Sequence, residues 1–292
     1  MNILVTGANG QLGSEIRLLA VNSEWNFLFT DIEELDIIDK RSIKVYFKDH
    51  SINICINCAA YTKVDNAESE QDLAKQINEI ATRNLAEVCN SMNAIFLHIS
   101  TDFVFDGKNS KPYKEEDMTL PVSVYGQTKL AGEIAATNAC ENTIIIRTSW
   151  LYSTYGKNFV HTMLHVGKEK KKLNVVSDQI GTPTYAADLA VVIFEILLLL
   201  AKSPESINKL NGIYHYSNEG IASWYDFAVE IFKIAGMKVE LTPITSAEYP
   251  LPAQRPSYSV IDKEKIKHTF GLKIPHWKTS LEICMKKLKF DS

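Results

Sequence analysis

Positive charge is not in excess here. Lys and Arg number 31 against 35 Asp and Glu, a formal net charge of −4, so no electrostatic argument favours nucleic acid or an anionic membrane as partner. The one compact basic run, Lys168–Lys172, ends a helical pattern and reads as a solvated turn. Long hydrophobic runs are also missing. The most apolar stretch, Leu189–Ala201, is too short to span a bilayer and carries Glu195, so it reads as a buried helix and no membrane association is expected. Cysteine is scarce, and five scattered residues give no disulfide framework. Cys55 and Cys58 have the spacing of a redox pair, but residues three apart on a strand face opposite ways, so the two thiols do not meet. No basic leader precedes the first apolar run at Asn2, and the expected location is the cytoplasm.

What the chain does have is a rhythm of strands and helices. Its 292 residues, 46% of them apolar, suffice for one large α/β domain or two unequal ones. Short apolar runs at Asn2–Thr6, Trp25–Thr30, Ile52–Cys58, Ala94–Ile99 and Thr143–Thr148 alternate with helical spacing at Ser14–Val21, Ser42–Asp49, Glu70–Met92 and Val124–Asn138. This alternation predicts an α/β, Rossmann-type doubly wound parallel sheet with ligands at the carboxyl ends of its strands. After residue 150 the rhythm loosens, and most of the prolines crowd after residue 200. The expected division is a dinucleotide-binding domain of residues 1–150 plus about 185–202, and a smaller C-terminal substrate-binding lobe of about 151–184 and 203–292.

The first strand runs into Gly7-Ala-Asn-Gly10-Gln-Leu-Gly13, spaced G-x-x-G-x-x-G. In such a strand–turn–helix unit Gly7 permits the tight turn, Gly10 lets backbone amides approach a pyrophosphate, and Gly13 allows close helix packing. The helix N-terminus then faces the phosphates. Asp31, at the end of the second strand, stands where a carboxylate accepts hydrogen bonds from an adenosine ribose and repels a 2′-phosphate; Asp36 and Asp39 in the next turn are alternatives. Ala59-Ala-Tyr61 after the third strand suits either a flat ligand or a tight strand-to-helix junction.

The stretch Ser100–Lys129 carries the candidate chemistry. A hydroxyl cluster, Ser100-Thr101-Asp102, ends the fourth strand, and Tyr125 and Lys129 follow one helical turn apart on the same face. An ammonium about 4 Å from a phenolate stabilises it by roughly 4 kcal/mol at an effective dielectric of ~20, an upper bound that would lower a tyrosine pKa by about three. Thr101 would hydrogen-bond the same carbonyl oxygen as Tyr125. A hydroxyl, a tuned phenol and a lysine beside a nicotinamide are the parts needed to reduce a ketone.

These motifs, with Asn57-Cys-Ala-Ala-Tyr-Thr-x-Val-Asp65, resemble the extended short-chain dehydrogenase/reductases. Gly10-Gln-Leu-Gly13, Arg147-Thr-Ser-Trp-Leu-Tyr152, Asp178-Gln-x-Gly-x-Pro-Thr184 and Arg255-Pro256 are similar, more narrowly, to the dTDP-4-dehydrorhamnose reductase family, over nearly the whole chain. The resemblance implies Thr101, Tyr125 and Lys129 as the catalytic set, with Lys129 also holding the nicotinamide ribose. It implies Gly7, Gly10, Gln11, Leu12 and Gly13 at the pyrophosphate, Asp31, Asp36 and Ile37 near the adenosine, and Ala59, Ala60 and Tyr61 lining the cofactor. Asp102 and Trp150 would meet the sugar and Arg255 the nucleotide diphosphate. The implied activity is NADPH- or NADH-dependent reduction of the 4-keto group of dTDP-4-dehydro-L-rhamnose, by a monomer or homodimer.

Two other readings stand beside it: a nucleotide-sugar epimerase or dehydratase on the same scaffold, and a non-catalytic cofactor-binding subunit. Some relatives form a Mg²⁺-linked dimer through carboxylates, where Glu15 and Asp188 are the residues on offer; no metal site is assigned. His161 and His165, one turn apart, lack a third ligand and read as ordinary helix residues.

Overall fold

The computed structural model describes residues 1–288. Five strands, β1 (Asn2–Thr6), β2 (Asn26–Thr30), β3 (Ile54–Asn57), β4 (Ile95–Thr101) and β5 (Thr143–Thr148), form a parallel sheet with a sixth, Gly212–His215. The order across the sheet is Gly212–His215, β5, β4, β3, β1, β2. The chain therefore starts at β1, moves outward to β2, then returns to the other side of β1 for β3. The crevice between the β1 and β3 ends is the topological switch point, where sheets of this kind bind ligands.

The unbroken apolar runs are explained by burial on both faces. Successive residues feed opposite cores: Ile3 and Val5 pack in one cluster with the helices α1 (Gln11–Ala20) and Ala186–Lys202, whereas Leu4, Cys55 and Phe96 pack in a second that includes Phe47, Leu85 and Ala136 from three other helices. Each fully buried aliphatic side chain here contributes about 1.5–3 kcal/mol. A third cluster, with Tyr152, Tyr185, Phe227 and Trp277, sits among the helices Phe159–Glu169, Trp224–Ile234 and Trp277–Lys287.

Three features differ from expectation. The strand Gly212–His215, assigned by sequence to the lobe, is an edge strand of the main sheet, paired with β5. The long helix expected over Glu70–Met92 is Gln71–Ser91 with one π-turn, Gln76–Ile80, inside it. The first helix starts at Gln11 rather than Ser14, because Gly10 is already its N-cap. All five cysteines are free. Among the described residues no helix is long and apolar enough to cross a membrane, and no group of three or more His, Cys, Asp and Glu gathers as for a metal ion.

Candidate active site

The glycine turn and the β3 end meet at the switch point. Gly7 has φ +64°, and a Cβ there would lie 2.6 Å from the Cα and N of Ala59. Only glycine fits both the backbone and the contact. Gly10 caps α1 without a side-chain hydrogen bond, so the helix's first N–H groups face the crevice uncapped by the chain itself, a site for an anion. Asp31 lies beside the turn, its Oδ2 accepting the Asn9 N–H at 3.1 Å and its Oδ1 the Ile32 N–H at 2.9 Å. These residues fit a dinucleotide. Asp36 accepts the Ile38 N–H at 2.9 Å and Ile37 packs on the second core.

Not every expected cofactor residue presents its side chain. Leu12 is buried in the first core, which leaves its backbone amide as the group near the turn. Gln11 reaches across to the lobe, its Oε1 accepting from Asn158 Nδ2 at 3.1 Å and its Nε2 donating to the Leu151 carbonyl at 3.4 Å. Ala59 and Ala60 line the loop after β3, half-buried. Tyr61 is fixed from three sides: its hydroxyl donates to Glu70 at 2.8 Å, its N–H to Asn78 Oδ1 at 2.8 Å, and Asn78 Nδ2 donates back to its carbonyl at 3.2 Å. It shares a small apolar cluster with Tyr125.

The catalytic candidates converge at the β4 end. Thr101 is the last residue of β4; its hydroxyl donates to Asp102 Oδ1 at 3.1 Å and accepts the Phe103 N–H at 3.2 Å. Asp102 is buried, its Oδ2 has no hydrogen-bond partner, and burial pushes its pKa up to about 6. Tyr125 lies in the first turn of the helix Val124–Ala139, which Ser123 caps through the Gly126 N–H at 3.2 Å. Its ring meets Phe103 edge-on, 5.5 Å between centroids.

Lys129 corrects the expectation drawn from its spacing. The side chain is 2% exposed and its Nζ donates to the Ile99 carbonyl at 2.7 Å, so its charge is directed at β4. Burial holds its pKa down to about 8. Burial likewise pushes the Tyr125 phenol up to about 12, with the neighbouring Thr101 hydroxyl pulling the other way and Asp102 adding to the rise. Desolvation sets the direction for both groups, against the lowered phenol pKa expected from the spacing.

The helix is pinned by a buried network that sequence reasoning missed. Glu133, two turns beyond Tyr125, accepts a bidentate pair from Arg147 of β5 (Nη2–Oε2 2.7 Å, Nε–Oε1 2.9 Å) and a hydrogen bond from Ser100 of β4. Arg147 Nη1 also lies 3.4 Å from His215 Nε2. The available signal was a charged residue inside the otherwise apolar run Thr143–Thr148.

The later half of the chain supplies the far wall. Trp150, with φ +46°, stacks on Trp224 at 3.6 Å and 5°, and a Cβ on Gly181 would touch its indole. Arg255 forms a bidentate pair with Asp65 (Nη2–Oδ2 2.7 Å, Nη1–Oδ1 3.0 Å), which ties the C-terminal segment to the short helix Val64–Ala67 that follows β3 and holds the Asp65 carboxyl below its usual range. Glu15 is buried and accepts from Ser153 at 2.6 Å, while Asp188 accepts from Asn218 and Ser280. His161 and His165 do not act together, since His165 lies 3.5 Å from Glu169 and His161 Nε2 is buried without a partner.

The sequence model of the RmlD substrate binding domain matches residues 1–290. The chain belongs to the RmlD family. A curated dTDP-4-dehydrorhamnose reductase from Aggregatibacter actinomycetemcomitans is 42% identical to this RmlD-family chain, covering 96% of it and 97% of the relative. Among solved structures, the dTDP-4-dehydrorhamnose reductase of Clostridium acetobutylicum superposes with a TM-score of 0.94 at 42% identity, covering 99% of this chain and 100% of that one. That of Bacillus anthracis, solved in complex with NADP, gives 0.92 at 39% identity, covering 98% and 99%. The RmlD fold thus extends over both the sheet and the lobe described above.

Proposed function

We propose that this protein reduces the 4-keto group of dTDP-4-dehydro-L-rhamnose to give dTDP-L-rhamnose, the last step in making that sugar donor for cell-surface polysaccharide, in the cytoplasm. The observation that carries the reading is the convergence of Thr101, Tyr125 and Lys129 at the β4 end, two strands from a glycine turn suited to a dinucleotide. Family membership over residues 1–290 supports it. The B. anthracis relative carries NADP, and Asp31 beside the turn suits the unmodified ribose, so both NADPH and NADH are coenzymes to test.

When bound, the reduced nicotinamide supplies the hydride. The chain's residues do the rest. Gly7, Gly10 and Gly13 let the backbone close on the pyrophosphate, with the amides of Gln11 and Leu12 at the α1 N-terminus. Asp31, Asp36 and Ile37 border the adenosine, and Ala59, Ala60 and Tyr61 the nicotinamide side. Tyr125 donates a proton to the sugar O4 as negative charge develops there. A phenol pushed up to about 12 stays protonated at neutral pH and still yields its proton to an alkoxide, a far stronger base. Thr101 orients the carbonyl, sharing its hydrogen with Asp102 until the sugar oxygen arrives. Asp102 and Trp150 border the sugar. Arg255 faces the diphosphate with part of its charge already committed to Asp65, which positions it and tempers its affinity.

The test is consumption of NADPH or NADH with dTDP-4-dehydrorhamnose. One equivalent oxidised per sugar is expected. Conversion of a nucleotide sugar with no net loss of reduced coenzyme would instead indicate an epimerase or dehydratase.

A further inference from the structure

One buried row of polar side chains takes no part in the steps above. The sheet register places Thr6 beside Asn57 and Asn57 beside His98 on three adjacent strands. Thr6 Oγ1 donates to Asn57 Oδ1 at 2.7 Å, Asn57 Nδ2 lies 3.1 Å from His98 Nδ1, and His98 Nε2 lies 3.4 Å from Lys129 Nζ. Asn57 and His98 are fully buried.

The directions of these bonds are forced. The Ala59 backbone N–H, which can only donate, reaches Asn57 Oδ1 at 3.2 Å. That oxygen is therefore the acceptor, and Nδ2 is the donor to His98. His98 Nδ1 must carry the lone pair. Burial, together with the neighbouring Lys129, holds the imidazole neutral, its pKa well below the usual range, so its one proton is on Nε2, facing Lys129. Lys129 also donates to the Ile99 carbonyl. A neutral amine satisfies this pocket, with one N–H to Ile99 and its lone pair to His98 Nε2–H. An ammonium has no lone pair and sets N–H against N–H.

We infer that His98, locked by Asn57 as the Nε2–H tautomer, is a positioning residue that stabilises the neutral amine of Lys129 and so makes this lysine a proton relay. The inference rests on the reductase reading above. After Tyr125 protonates the sugar oxygen, its phenolate regains a proton from the Lys129 ammonium. The resulting amine accepts from His98 Nε2–H until water reprotonates it. Two other groups bear on the charged form of Lys129: Glu133 on its own helix, already paired with Arg147, favours it, and Cys58 after β3 would do so only as a thiolate. Burial pushes the Cys58 thiol well up, so it carries no charge at neutral pH. Tyr125, one turn away on the helix, is protonated in the resting state.

Imidazole ¹⁵N shifts of the full-length, histidine-labelled protein test this without turnover, and the resonance missing from His98→Gln assigns the residue. The Nε2–H tautomer is expected from pH 6 to pH 9; an Nδ1–H tautomer or an imidazolium at neutral pH would overturn the inference. Two variants reverse what Lys129 sees. Asn57→Asp offers His98 a carboxylate oxygen that draws its proton to Nδ1, and the His98→Gln carbonyl can turn toward Nζ. Each should move the alkaline limb of kcat upward by about one pH unit at saturating coenzyme and sugar. A fold defect lowers kcat without moving the limb, so an unmoved limb in both variants contradicts the relay. Absence of turnover in the wild-type chain would strike the reductase reading instead, and the spectrum would still decide the tautomer.

Discussion

Lys129 is an ammonium 98% withdrawn from solvent, and the fold bears that cost for the sake of the site. Its pKa of about 8 lies below the ordinary 10.5, so the folded chain releases a proton that the unfolded chain still holds. The destabilisation is fully present below about pH 8 and disappears as pH rises through 10.5. Lys129→Met should therefore lower turnover by roughly 10²–10⁴ while raising stability at pH 7 by about 1–2 kcal/mol, after allowing for the Ile99 carbonyl left unpaired. Urea unfolding at pH 7 and pH 10 checks this, the advantage shrinking at the higher pH. Tyr125, Lys129 and Gly7 were legible in the sequence because each belongs to a short fixed spacing. His98 and Asn57 were not, because 41 positions separate them and only strand register brings them together. Trp150 and Arg255 were legible as residues, but their partners Trp224 and Asp65 could not be paired with them from sequence.

The helix Val124–Ala139 and the sheet beneath it are joined by charge. Glu133→Gln leaves Arg147 buried with an incomplete partner, and a loss of about 3 kcal/mol is expected, with a lower kcat because Tyr125 and Lys129 ride on the same helix. The double variant Glu133→Gln/Arg147→Met should recover part of the stability in chemical denaturation. The other side of the helix is set by close approach: a Cβ on Gly132 would lie 2.1 Å from the Asn78 carbonyl oxygen in the π-turn. Gly132→Ala should cost about 1–3 kcal/mol by the same measurement, through a displaced backbone. The π-turn was invisible to periodicity because Asn78 is an ordinary helix residue by spacing. Its side chain, bonded to Tyr61 and to Thr128 Oγ1 at 3.1 Å, holds that turn against the β3 loop. The strand Thr143–Thr148, by contrast, came out with the predicted bounds, since a buried run that is β-branched at every position but Arg147 has no competing pattern.

Across the molecule, the sheet was legible from rhythm alone, whereas the membership of its sixth strand was not. Nothing local distinguishes Gly212–His215 from a lobe strand; its place beside β5 follows from packing of Tyr214 and Tyr216 on the first core. The two halves meet through side chains that sequence cannot pair: Gln11 with Asn158 and Leu151, Glu15 with Ser153, Asp65 with Arg255. These contacts join the later half of the chain to the first helix and to the segment after β3, the two sides that the proposed reading gives to the nucleotide sugar and the coenzyme. The proposed proton donor, Tyr125, is the centre of that reading, and a single comparison addresses it most directly. NADPH oxidation with dTDP-4-dehydrorhamnose is measured for the wild-type chain and for Tyr125→Phe, with coenzyme and nucleotide-sugar binding followed separately. Wild-type protein should oxidise one NADPH per sugar reduced, and Tyr125→Phe should bind both ligands while reducing at a rate lower by roughly 10²–10⁴. Full reduction by Tyr125→Phe with normal binding would contradict the account.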